Sequence, residues 1–71
     1  MSKRELNKFW TARRIRELRE DWLGLNREEF AASILASIYA VKHWERGGRP
    51  NGPTLCLFEK LAAEAGMKSA I

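Results

Sequence analysis

The chain's 71 residues, 45% apolar and 31% charged, fill about half of a ~150-residue domain, which fits one small globular unit and disfavours most enzyme folds. The longest uncharged stretch, from Phe30 to Val41, is twelve residues and too short for a bilayer that needs ~20, and a lone Cys56 excludes an internal disulfide. Net charge is +4 but lies unevenly: +5 over the first nineteen residues, −1 over the rest, which points to a polyanionic partner, either nucleic acid or an anionic membrane surface. The charged start lacks the apolar core of a secretory signal, so a reducing, cytoplasmic setting is expected.

Ser2-Lys3-Arg4-Glu5 has the form of a capping box, and Leu6, Phe9 and Trp10 would share one face of a helix beginning there. At about 100° per residue that face lies nearly opposite the stripe of Ile15, Leu18 and Trp22. Residues 1–10 are therefore read as a basic arm or short helix, whose Lys3, Arg4 and Lys8 fit an unstructured tail better than a groove-tracking arm. The main domain spans residues 11–66, with 67–71 as a tail. Thr11 caps a helix over 12–22, ended by Gly24. Asn26 caps the next, with Glu29 placed to complete a capping box and Phe30, Ala31 and Ile34 as its buried stripe. Ser37 opens a third helix over 38–46, with Ile38, Val41 and Trp44 or Glu45 inward and Gly47 as its stop. Gly52 and Pro53 open the last, with Leu55, Phe58, Leu61 and Ala62 facing the core and Gly66 at its end. Strand signals are weak. The predicted fold is an all-α bundle of four to five helices.

Only Leu35 and Ala36 separate the second and third of these helices before the Ser37 cap, too few for an antiparallel return, so the two cross steeply as a helix-turn-helix. On the twenty-residue pattern beginning at Arg27, Phe30, Ala31, Ile34, Val41 and Trp44 fall where packing demands apolar or small side chains. Read as a string, Leu23-Gly24-Leu25-Asn26-Arg27-Glu28-Glu29-Phe30-Ala31, then Val41-Lys42-His43-Trp44-Glu45-Arg46-Gly47 and Pro50-Asn51-Gly52-Pro53, the sequence resembles the Cro-type (XRE-type) helix-turn-helix regulators, small phage and antitoxin-like members above all. The likeness covers residues 15–61. It departs from that family in holding Leu35 where glycine is usual in a left-handed turn, in one residue inserted near Trp22, and in a loop after Gly47 about one residue short.

The resemblance implies a lambda-repressor-like DNA-binding domain acting as a repressor, possibly of its own operon, on double-stranded DNA. Its recognition helix would offer Ser37, Tyr39, Ala40, Lys42 and His43 to base edges, Tyr39 through ring and hydroxyl, Lys42 and His43 as donors to guanine or phosphate. Arg27, Arg46 and Arg49 are the expected phosphate contacts. Arg13, Arg14, Arg16 and Arg19 are read as solvated or paired along their helix, Arg13 with Glu17 or Arg16 with Glu20. Glu45 is read as bonding backbone or an arginine near the loop. Leu57 is left over once the last helix faces the core, so a twofold homodimer through Leu57, Cys56 and Leu61 is expected, aided by Leu6, Phe9 and Trp10, on an inverted repeat. The alternative is an antitoxin-like module whose Leu57 face or Phe9-Trp10 arm seals a toxin or other small protein. No membrane partner, cofactor, metal site or catalytic set is expected, since His43 and Cys56 are single and lie on different helices.

Overall fold

Four short polar side chains set where the helices begin. Thr11 Oγ1 accepts from Arg14 N (3.3 Å), Asn26 Oδ1 from Glu29 N (2.8 Å), Ser37 Oγ from Ala40 N (3.1 Å) and Asn51 Oδ1 from Thr54 N (2.9 Å), each satisfying an amide that its helix leaves unpaired. The structure, a computed structural model, describes residues 3–67. Among these residues it is an all-α bundle with no strand: α1 (Lys3–Phe9), α2 (Ala12–Glu17), α3 (Arg27–Ser33), α4 (Ile38–Glu45) and α5 (Gly52–Ala65). None of these helices is long and apolar enough to cross a membrane. The Asn26–Glu29 capping box is complete in both directions, and Gly24, Gly47 and Gly66 all have positive φ at helix ends. The Ser2 capping box lies outside the described residues, as do 68–71.

The core is one cluster organised around a ring of α5. Phe58, wholly buried, meets Trp10, Phe30 and Trp44 at centroid separations of 5.5, 5.9 and 5.4 Å, which ties α5 to the end of α1 and to α3 and α4. Each such pair adds about 0.5–1.5 kcal/mol beyond the area it buries. Ile15, Leu18, Val41, Leu55 and Ala62 complete the centre.

Three expectations change here. Of the two readings of the segment before Thr11, arm or short helix, the short helix is the one present, with no loose tail: α1 packs on α5 with Leu6 and Trp10 buried, Trp10 only 2% exposed, and Phe9 half-buried. Leu6 and Trp10 are therefore spent on the core and are not left for a dimer or a toxin, while Phe9 packs partly against it. Met67 also belongs to the domain, buried with its amide bonded to Ala62 O (2.9 Å), so the tail does not begin there. Third, the helix after Thr11 does not stay α-helical. From Leu18 to Trp22 it widens into a π turn, with Leu23 N bonding Leu18 O five residues back (2.9 Å). The extra residue rotates Leu23 toward the core and turns Trp22 outward to 45% exposure, its indole donating to Glu17 Oε2 (3.2 Å). The π turn thus takes up one residue more than an α-helical turn would, and its consequence is a changed face.

Candidate nucleic-acid interface

Helix α3 packs on α4 across a turn over residues 34–37. The turn closes with Ala36 N on Ala31 O (2.9 Å) and places Leu35 at φ 55°, the left-handed region, with its side chain 96% exposed. A leucine there costs about 1–2 kcal/mol relative to ordinary backbone, and it contributes no burial in return.

Buried Val41 and Trp44 hold α4 from behind, and a polar clasp at its C-terminal end completes the attachment. Glu45 Oε2 accepts from Arg19 Nε (2.6 Å), while its Oε1 accepts from Arg19 NH2 (3.1 Å) and Arg27 Nε (3.3 Å). The Arg19 and Glu45 side chains are 7% and 3% exposed, so this is a buried, bidentate pair joining the π turn to α4, with Arg27 of α3 at its rim. Arg19 NH1 also donates to Leu25 O (3.0 Å), and NH2 to Glu20, which Arg16 pairs from one turn away (2.9 Å each). The hydrogen bond that Arg19 donates to Glu45 raises the Arg19 pKa above its ordinary value despite burial, and Arg16 chiefly, with Arg19, holds the Glu20 carboxyl below the usual range. Arg19 is therefore not the solvated helix-surface residue expected of it. Glu45 does bond arginines, but from α3 and the π turn and not from the loop after α4. Of the expected helix pairs Arg16–Glu20 forms, while Arg14 lies over the Phe9 ring (4.3 Å).

The opposite side of α4 is open. At roughly 100° per residue Tyr39, Lys42, His43 and Arg46 fall within an arc of about 100°, and Val41, Trp44 and Glu45 lie across the helix from it. Tyr39 is 77% exposed, with Lys42 Nζ 6.0 Å from the centre of its ring; His43 and Arg46 are exposed. The imidazole of His43 leans over the loop, where its Cδ2 and Nε2 occupy the space that a Cβ at Gly48 would need. Among the remaining expected base contacts, Ser37 is exposed but uses its oxygen to cap α4, and Ala40 is half-buried on the flank together with Ile38. The expected phosphate contacts divide as well. Arg46, the C-cap of α4, borders the stripe; Arg27 leans on Glu45 with 43% of its side chain exposed; Arg49 donates to Asn7 O (3.3 Å) and so turns toward α1.

On α5, Cys56 and Leu57 are exposed, whereas Leu61 packs partly against the core and offers little to a partner. Among the described residues no group of three or more His, Cys, Asp or Glu is placed to hold a metal ion. Compared with known proteins, the chain matches no family profile, no curated sequence and no solved structure.

Proposed function

We infer that the chain is a sequence-specific, double-stranded DNA-binding transcriptional regulator of the Cro-type helix-turn-helix kind, a cytoplasmic repressor working as a homodimer. The observation that supports this reading best is the outer stripe of α4: an exposed aromatic hydroxyl, imidazole and guanidinium with a half-buried lysine among them, on a helix held from behind. The major groove of B-DNA admits one such helix. Tyr39 would touch a thymine methyl or a base edge, Lys42 and His43 would donate to guanine, and Arg46 and Arg27 would hold phosphates. Exposed Leu57 and Cys56 offer contact to a second copy, giving an inverted repeat with half-sites ~34 Å apart. Control of its own operon rests on the resemblance alone. Selection from a random duplex pool followed by binding titrations tests the reading. Arg46→Ala is expected to weaken all duplexes and shallow the salt dependence by about one unit of slope, while Tyr39→Ala changes base preference. Equal losses on selected and random duplexes from Tyr39→Ala would remove it from base reading, and no binding at low salt would end the proposal. The Leu57 and Cys56 surface equally suits an antitoxin-like partnership with a small protein. Stoichiometric co-purification of one such protein, with no DNA binding by the complex or the free chain, would favour that reading.

A further inference from the structure

A second cationic feature lies away from α4. Arg4 and Lys8 are one turn apart on α1, both exposed, and Arg49 is drawn to them from the loop after α4 by its bond to Asn7 O (3.3 Å). Among the described residues, these three cations and Asn7 line one concavity that no carboxylate lines. The concavity beside α2 is different in kind, setting Arg13 and Arg16 among Glu17, Glu20 and Asp21. Gathering three like charges around one concavity favours the arrival of an anion, and a guanidinium that spends one donor on a carbonyl keeps four for phosphate oxygens. Arg49 follows Arg46 by three residues in the loop after α4, and its bond to Asn7 O ties that loop to α1.

We propose that Arg4, Lys8 and Arg49 form a phosphate clamp that grips the sugar-phosphate backbone of the bound duplex beyond the segment facing α4. The clamp rests on the DNA-binding reading and extends the footprint through α1.

The test measures the affinity of the wild type and of Lys8→Gln, Arg49→Gln and Arg13→Gln for a random-sequence duplex across a salt series. Lys8→Gln leaves the Arg49–Asn7 bond in place, and Arg13→Gln removes the same charge from a site already rich in carboxylates. Lys8→Gln and Arg49→Gln are each expected to lower the slope of log K against log salt by about 0.9, with Arg13→Gln well below that. Equal small changes in all three, with the wild type still binding, would overturn the clamp and leave the proposed function standing. No binding by the wild type would remove both. A parallel NMR titration with inorganic pyrophosphate separates the sources of phosphate: shifts at Lys8 and Arg49 without any slope change on DNA would assign the site to a small free phosphate and overturn the proposal.

Discussion

The pair α3–α4 and the helix running from Thr11 to Trp22 are built by different rules. In the pair, local chemistry decides: Asn26 with Glu29, Ser37 with the Ala40 amide, and small Ala31 at the crossing each act within a few residues. In the longer helix, the start obeys its cap, but the hydrogen-bond spacing switches at Leu18 and the inward face turns with it. Short-range signals thus set boundaries, whereas the register inside a helix follows what the rest of the domain needs buried. Here that is Arg19 against Glu45, 26 residues away, and Leu23 in place of Trp22.

Among single substitutions, the largest test of this contrast is Glu45→Ala. It strands a buried guanidinium that keeps only Glu20 and Leu25 O, and it is expected to cost about 3 kcal/mol in urea unfolding, the low end for breaking a buried pair. A loss under ~0.5 kcal/mol would show the clasp to be incidental. Leu35→Gly acts on the locally encoded side: relieving the left-handed strain, less the extra freedom of glycine when unfolded, is expected to gain up to about 1 kcal/mol. Deleting Asp21 is expected to convert the π turn to α-helix and leave the helical content and the melting transition nearly unchanged, whereas deletion of Val41, in the middle of α4, abolishes cooperative melting. The smallest effect concerns Glu20, whose pKa is depressed when folded. Its contribution is present above the ordinary carboxylate range and is lost as pH falls through the lowered folded value. An NMR titration is expected to show that midpoint below normal and Arg16→Gln to move it back up.

Much of the architecture was readable from such local signals. The caps at Thr11, Asn26 and Ser37, the glycine stops, and the buried set of Phe30, Ala31, Ile34, Val41 and Trp44 all follow from spacing and side-chain chemistry. Asn51 was missed as a cap although an Asn before Gly-Pro is itself a start signal. The burial of Trp10 was not legible, because its stripe opposes that of Ile15 and only the break between α1 and α2 lets both face one core. In the interface, the outward set Tyr39, Lys42 and His43 follows from helical phase, while the turning of Arg49 toward α1 and the burial of Arg19 depend on contacts 42 and 26 residues apart that no local pattern carries.

The close approach of Gly48 to the imidazole has an engineering consequence. A side chain at 48 would displace the ring, the movable end of His43, so the position of the imidazole can be altered from the loop without a substitution in α4. Positions 43 and 48 accordingly behave as one dial with two hands, and variant libraries that randomise the helix while freezing the loop would sample only half of its settings.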